Sequence, residues 1–165
     1  MTFDDYVGQR GQSLLRLAHV LTSDAHLAED LTQTALADAY RHWRKVAAAD
    51  DPHAYVRRIL VNAHLSFHRR RSSTERPTLM SDAATGTAGD HADSVAARDH
   101  MRRLLGTLQP RARTVLVLRY YADLDDQAIA DLMGVAASTV RATATRALAA
   151  LRQPDAEYPT RTNNG

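Results

Sequence analysis

Apolar residues recur at helical spacing along the first part of the chain, and polar breaks divide them into three predicted helices. A leucine-rich first segment ends before Asp24, which has the chemistry of an N-cap for the next helix. The second helix is predicted over residues 25–46. After a short loop, Asp51 followed by Pro52 is typical of a helix start, and a third helix is predicted over residues 52–71. Three helices of this size can bury one small core.

The helical pattern stops near residue 72 and resumes at Ser94. Residues 73–93 are rich in Ser, Thr, Ala, Gly and Asp, which predicts a flexible acidic linker. Residues 94–152 predict four more helices, and the last two, joined at Gly134, have the pattern of a helix-turn-helix. Residues 153–165 are predicted to be a disordered tail. We therefore predict an all-α protein with two small helical domains, spanning residues 1–72 and 94–152.

Two of the predicted helices carry a polar face opposite their apolar face. On the second helix, Asp30 and Gln33 lie three residues apart and share one exposed side. On the third helix, Arg58, Asn62 and Ser66 follow one another at a spacing of four residues. That helix ends in the run Arg69, Arg70 and Arg71. An acidic and amide surface is thus followed along the chain by a basic surface, which suggests two different partners.

The formal net charge of +2 hides a strongly uneven distribution. Residues 40–76 hold nine basic residues against three acids, and residues 95–152 hold nine against five. The charged residues between these two blocks are all acidic. Nearly all basic residues are arginine, which binds phosphate and guanine through two parallel hydrogen bonds. Two basic blocks suggest two nucleic-acid contacts on one chain.

Several function classes lack support in the sequence. There is no cysteine, and neither a glycine-rich phosphate loop nor a nucleophile elbow occurs. His64 and His68 are spaced to direct two imidazoles toward one metal, but no third ligand lies near them in the sequence. Asp50–Asp51 and Asp125–Asp126 precede helices, where capping explains them. We expect neither an enzyme nor a bound metal or cofactor.

The amino terminus has acids where a signal peptide has basic residues, and no apolar core follows. No apolar run approaches the ~20 residues that span a bilayer. We therefore expect a cytoplasmic protein without membrane insertion.

Three segments, taken in order, resemble the extracytoplasmic-function (group IV) sigma factors of bacterial RNA polymerase, members of the sigma-70 family. The segment AEDLTQTALADAYRHW resembles the family's region 2.2, and YVRRILVNAHLSFHRRR resembles its regions 2.3 and 2.4. The segment PRARTVLVLRYYADLDDQAIADLMGVAASTVRATATRALAALR resembles region 4. The resemblance covers about residues 10–152 and implies a promoter-specificity subunit that acts in the nucleoid when engaged with polymerase.

The resemblance also implies roles for individual residues. It assigns Asp30 and Gln33 to docking on the clamp helices of core RNA polymerase. The loop from Ala48 to His53 corresponds to the loop that captures a flipped base of the −10 element. Contacts with −10 DNA are implied for His53, Arg58, Asn62, Ser66, Arg69 and Arg70. Contacts with the −35 major groove are implied for Ser138, Thr139, Arg141 and Arg146.

The chain departs from the family pattern at several of these positions. Ala136 stands where a capping serine is common, and Ala128 stands where an acid is usual. Thr143 and Ala144 replace a basic and an apolar residue, and Ser66 replaces the usual aspartate of the −10 helix. A lost helix cap costs about 1 kcal/mol, so the fold is expected to persist while promoter preference changes.

These observations predict a sigma factor that binds core polymerase and promoter DNA, with an anti-sigma factor as a further expected partner. Two alternatives stay open. A helix-turn-helix regulator with a helical sensor domain would bind duplex DNA without polymerase. A sigma-like decoy would bind polymerase or an inhibitor and initiate no transcripts.

Overall fold

The computed structural model describes residues 1–73 and 92–152, and all regular structure within these ranges is helical. The predicted all-α fold is confirmed. Nearly all of the predicted linker and the predicted tail lie outside the described residues. None of the helices in the described ranges has both the length and the apolar character needed to cross a membrane.

The N-terminal group of helices is formed by α1 (Phe3–Thr22), α2 (Ala25–Arg41), α3 (Trp43–Ala47) and α4 (Pro52–Ser73). Helix α2 packs against both α1 and α4. Ala28, Ala35 and Ala39 of α2 are fully buried, which allows close approach of the neighbouring helices. The larger side chains that fill this core are Tyr6, Leu14, Leu21, Val46, Val56 and Leu60.

Side-chain caps fix where these helices begin. Thr2 and Asp5 form a reciprocal capping box at the start of α1. As predicted, the Asp24 carboxylate accepts a hydrogen bond from the Leu27 backbone N–H at 3.0 Å. Asp51 accepts one from the Ala54 backbone N–H at 2.9 Å. The start of α4 is therefore fixed at the loop that the sequence singles out.

The prediction of one continuous helix over residues 25–46 was wrong. The backbone leaves helical geometry at His42, where φ is −113° and ψ is 22°. The break separates α2 from α3 and places the Trp43 ring in edge contact with Phe3, with the ring centroids 5.4 Å apart. The neighbouring Tyr40 is 65% exposed. Val46 of α3 is also buried, so the apolar pattern continues across the break and does not reveal it.

The C-terminal group contains α5 (Ala92–Gly106), α6 (Pro110–Leu116), a π-helical turn (Val117–Tyr121), α7 (Asp126–Met133) and α8 (Ala137–Arg152). Helix α8 packs against α6 and α7. Ile129, Ala130 and Leu132 of α7 are buried, as are Val140, Ala144 and Ala147 of α8. Gly134 ends α7 in a left-handed conformation with φ of 69°, which glycine adopts without the steric cost of a Cβ atom.

The two groups of helices are in contact through α4, which packs against α6 and α7. Arg113 of α6 makes a polar link between the groups. Its Nη1 atom donates to the Leu21 carbonyl of α1 at 3.1 Å, and its Nε atom donates to the Leu105 carbonyl at 3.0 Å. One guanidinium therefore joins the end of α1 to the end of α5.

Candidate nucleic-acid interface

Helix α2 presents a polar surface on the side away from its packed alanines. Asp30 and Gln33 are both exposed, whereas Ala28 and Leu31 beside them are buried. Residues three apart on a helix lie on the same face, so the carboxylate and the amide point to the same side. The structure thus brings together the two residues that the sequence assigns to a protein partner.

The α4 surface consists of Arg58, Asn62, Ser66, Arg69 and Arg70. Arg58, Asn62 and the two C-terminal arginines are exposed, and Ser66 is half-buried. The Arg69 guanidinium donates to the Ser66 hydroxyl at 2.9 Å, so these two predicted DNA-binding residues already interact. The result is one row of amide, hydroxyl and guanidinium groups along the helix.

The basic end of α4 continues this row. Arg70 and Arg71 lie in the exposed last turns, where cations are favoured by the helix dipole. The Arg71 guanidinium lies 5.9 Å from the centre of the Phe67 ring. A helix end with this charge attracts phosphate groups through simple electrostatics.

His53 occupies a different environment from the other residues predicted to contact −10 DNA. It is half-buried, and its Nδ1 atom lies 3.0 Å from the hydroxyl of the buried Tyr6. Burial, followed by the charges of Arg57 and Arg10, lowers the pKa of His53. Burial also raises the pKa of Tyr6 to about 12. The pair therefore stays uncharged at neutral pH and fastens the first turn of α4 to α1.

The α8 surface consists of Ser138, Thr139, Arg141 and Arg146, and all four residues are exposed. The first turn of α8 has no side-chain cap from Ala136, whose backbone carbonyl accepts from Thr139 at 3.0 Å. Val140, Ala144 and Ala147 hold the opposite side of the helix against α6 and α7. Helix α8 therefore has a packed apolar side and an exposed polar side.

A cluster of ion pairs beside the α8 surface was not predicted from the sequence. The Asp126 carboxylate accepts a hydrogen bond from the Arg119 guanidinium at 2.7 Å, and its other oxygen lies 4.0 Å from Arg141. The paired acids Asp125 and Asp126 suggested only capping. Asp125 does cap α7, accepting from the Ala128 backbone N–H at 2.8 Å, but Asp126 does not share that role.

The opposite side of α4 carries a pair of neighbouring histidines, of which His64 is buried and His68 is half-buried. His64 is fully buried, and its ring lies edge-on to that of His68 with centroids 4.6 Å apart. Neither ring nitrogen of His64 has a hydrogen-bond partner among the described residues. Burial, with smaller contributions from His68 and Arg113, lowers the pKa of His64 to about 3. No cluster of three or more metal-ligating side chains occurs in the described ranges.

Comparisons with known families match both groups of helices. Residues 7–74 match the family described as sigma-70 region 2. Residues 98–151 match sigma-70, region 4. The first range contains the α2 and α4 surfaces, and the second contains the helix-turn-helix with the α8 surface.

Whole-chain relatives extend this match. The RNA polymerase sigma-E factor of Streptomyces avermitilis is 36% identical over 155 residues, covering 93% of this chain and 84% of the relative. The sigma-E factor of Streptomyces coelicolor is also 36% identical, covering 93% and 85%. An extracytoplasmic-function sigma factor, SigE of Mycolicibacterium smegmatis, is 28% identical and covers 98% of this chain and 64% of the relative.

Solved structures share the fold. The sigma factor RpoE in complex with the anti-sigma factor NepR, from Bartonella quintana, aligns with a TM-score of 0.66 at 21% identity, covering 90% of this chain and 93% of that one. CnrH in complex with the cytosolic domain of CnrY aligns with a TM-score of 0.59 at 20% identity, covering 90% and 84%. The ordered match of two sigma-70 regions and the whole-chain identity to sigma-E factors show that this chain belongs to the extracytoplasmic-function sigma factors of the sigma-70 family, which direct promoter-specific transcription.

Proposed function

We propose that residues 1–72 bind core RNA polymerase and −10 DNA, that residues 94–152 bind −35 DNA, and that residues 73–93 link the two parts. The observation that carries this division is the pair of exposed polar rows on α4 and α8. Each row is backed by a buried apolar row, and each lies within one of the matched sigma-70 regions.

The α2 surface is the proposed docking site for core polymerase. Asp30 and Gln33 are exposed, and the side of α2 behind them is held against α1 and α4. A carboxylate and an amide on a rigid helix can accept and donate hydrogen bonds to a partner with little ordering cost. Since docking would use only this side, the DNA-binding surfaces would stay accessible.

The α4 surface is proposed to hold the melted −10 strand. Arg58, Arg69 and Arg70 provide positive charge for phosphates, while Asn62 and Ser66 provide hydrogen-bonding groups for bases. A surface that pairs only with unstacked bases stabilises strand opening, because it binds the open state and not the duplex. His53, held by Tyr6, would fix the neighbouring base-capture loop in addition to any contact of its own.

The α8 surface is proposed to enter the −35 major groove. Ser138 and Thr139 lie in the first turn of α8, and Arg141 follows within one turn. In helix-turn-helix proteins these N-terminal positions of the second helix reach base edges. An arginine that reads guanine by two hydrogen bonds contributes about 1–3 kcal/mol of discrimination.

The chain is thus proposed to act by positioning, with catalysis carried out by the polymerase, and to work in the cytoplasm at the nucleoid. An anti-sigma factor is a further proposed partner. Two structural neighbours are described in complex with such a factor or with a cytosolic domain of another protein. A helix-turn-helix regulator and a non-initiating decoy are the rival functions.

Core binding by an Asp30→Ala variant tests the proposed docking site. The variant should bind core polymerase about tenfold more weakly than the native chain, since it loses a charged partner at a protein interface. Asp4→Ala removes an exposed acid from α1 and is the matched control. Both variants should keep the native helical content by circular dichroism. Equal affinity of the Asp30→Ala variant and the control would remove Asp30 from the interface.

A further inference from the structure

The Asp126 carboxylate joins two arginines beside the α8 surface. One oxygen lies 2.7 Å from Arg119 Nη2, within hydrogen-bond distance, and the other lies 4.0 Å from Arg141 Nη1. The side chains of Asp126 and Arg119 are 19% and 28% exposed, whereas that of Arg141 is 60% exposed. The cluster is therefore anchored on its inner side and open on the side of Arg141.

Local structure explains why the carboxylate is available to both arginines. Asp125 takes the capping role at the start of α7, so the Asp126 side chain is not needed by the helix backbone. Arg119 lies in the π-helical turn, and the Ala122 N–H closes that turn on the Val117 carbonyl at 3.1 Å. The turn at Gly134 then brings the first part of α8 back beside α7.

We propose that Asp126 is a positioning residue that sets the sequence specificity of −35 recognition by holding Arg141 in place. This inference rests on the proposed function, in which Arg141 reaches the −35 major groove. At 4.0 Å the two groups attract each other without a hydrogen bond, so the donors of Arg141 stay available for a base. An arginine that is already oriented loses less side-chain entropy on binding, which favours the one DNA sequence that fits its geometry.

The Asp126 carboxylate also weakens non-specific binding to DNA. A negative charge next to Arg141 offsets part of the attraction that a long guanidinium side chain has for any phosphate. Arg119, held at 2.7 Å, is likewise kept from phosphates. A duplex with the correct base edge provides hydrogen bonds that a phosphate contact does not replace, so Asp126 penalises incorrect sequences more than the correct one.

An Asp126→Asn variant removes this charge while keeping the side-chain shape. The full-length protein, assembled with core polymerase, is used to select sequences from a pool of duplexes randomised at the −35 position. Binding of the selected and a scrambled duplex is then measured over a series of salt concentrations. The variant should lose about tenfold in the ratio of the two affinities, and its binding to scrambled duplex should become stronger with a salt slope steeper by about one.

Two further variants separate positioning from a structural role. Asp131→Asn removes an acid from the same helix, where it accepts a hydrogen bond from Gln127 at 2.9 Å, and it should leave the affinity ratio unchanged. Asp126→Glu keeps the negative charge that attracts Arg141 and should restore the ratio to within about threefold of native. Circular dichroism of each full-length variant serves as the check that it keeps the native helical content.

The outcomes are distinct. Native protein that selects a sequence, together with an Asp126→Asn variant that keeps the full affinity ratio, would overturn the role of Asp126 alone. Equal loss in Asp126→Asn and Asp126→Glu would also overturn it, because a shape requirement would then explain the effect. Native protein that selects no −35 sequence would overturn the proposed function and this inference with it.

Discussion

The α4 surface and the α8 surface carry similar side chains in different electrostatic settings. On α4, Arg58 and Arg69 form no ion pair with an acid in the described part of the chain, and Arg69 donates to a serine. On α8, Arg141 lies beside Asp126, which is itself fixed by Arg119. Arg58 and Arg69 therefore have no opposing acid in the described residues, whereas Arg141 is balanced by an adjacent carboxylate.

The difference fits the two kinds of DNA that we propose for these surfaces. A melted strand exposes phosphates and bases in variable positions, and arginines without an adjacent acid, such as Arg58 and Arg69, can accommodate them. A duplex presents a fixed pattern of base edges, which an oriented arginine can distinguish. We infer that the α4 surface contributes mainly affinity and the α8 surface mainly selectivity.

The largest expected effect comes from removing the unopposed charge. An Arg58→Ala/Arg69→Ala double variant should weaken binding of the holoenzyme to melted −10 DNA about a hundredfold, or roughly 1.4 kcal/mol for each position. The salt slope should fall by about two, because two phosphate contacts are lost. Fluorescence anisotropy on single-stranded DNA, measured over a salt series, follows both quantities.

The control for this pair is Arg16→Ala/Arg103→Ala, which removes two exposed arginines outside the α4 surface. A loss of the same size in the control would mean that overall charge, and not the α4 surface, determines binding. The comparison would also fail if the Arg58→Ala/Arg69→Ala variant changed −35 selection as strongly as single-strand affinity.

A pH effect is expected where α4 contacts the C-terminal group. The pKa of His64 is lowered from 6.5 to about 3 by burial, so the unfolded chain binds a proton that the folded chain excludes. Stability is therefore fully present above about pH 6.5 and is lost as the pH falls toward 3. As the pH falls from about 7 to about 5, protonation of His64 in the unfolded chain alone should lower the free energy of unfolding by about 2 kcal/mol.

His64→Leu removes the titrating imidazole and replaces it with an apolar side chain of similar size. Urea unfolding at several pH values should show a flatter acid dependence for the variant than for the native chain. His26→Leu, a change at an exposed position, should keep the native dependence. Parallel curves for native protein and His64→Leu would contradict the assignment of the acid loss to His64.

The smallest expected effect concerns the turn that positions the α8 surface. Gly134 has a φ of 69°, so Gly134→Ala should lower the unfolding free energy by about 1–2 kcal/mol. Gly8 lies in α1, and a Cβ atom added there would have open space around it. Gly8→Ala should therefore raise the unfolding free energy by about 0.5–1 kcal/mol. Thermal unfolding measures both changes, and a stabilising Gly134→Ala substitution would contradict the strained turn.

Local signals in the sequence were sufficient for the helix boundaries at several points. Asp24, Asp51 and Asp125 cap the helices that follow them, as their positions before apolar periodic segments predicted. Gly134 ends α7 as predicted. A cap or a turn depends on neighbours within about four residues, so the information lies in the local sequence.

Features that depend on distant residues could not be read in this way. His64 is fully buried, and Arg113 of α6, from a part of the chain far along the sequence, contributes to its lowered pKa. The pairing of Asp126 with Arg119 depends on the π-helical turn, which the 3.6-residue period does not indicate. The exposed positions of Asp30, Gln33 and Arg141 were predictable, whereas the electrostatic environment of Arg141 was not.

Reconstituted run-off transcription is the most direct test of the proposed function. Core polymerase and this protein are incubated with a pool of promoter fragments, and the Asp30→Ala variant is tested in parallel. A sigma factor with these surfaces should give discrete transcripts that depend on the protein and weaken with the variant. A stable complex with core but no transcripts would indicate a decoy, and duplex binding without core binding would indicate a regulator; either result would contradict the proposed function.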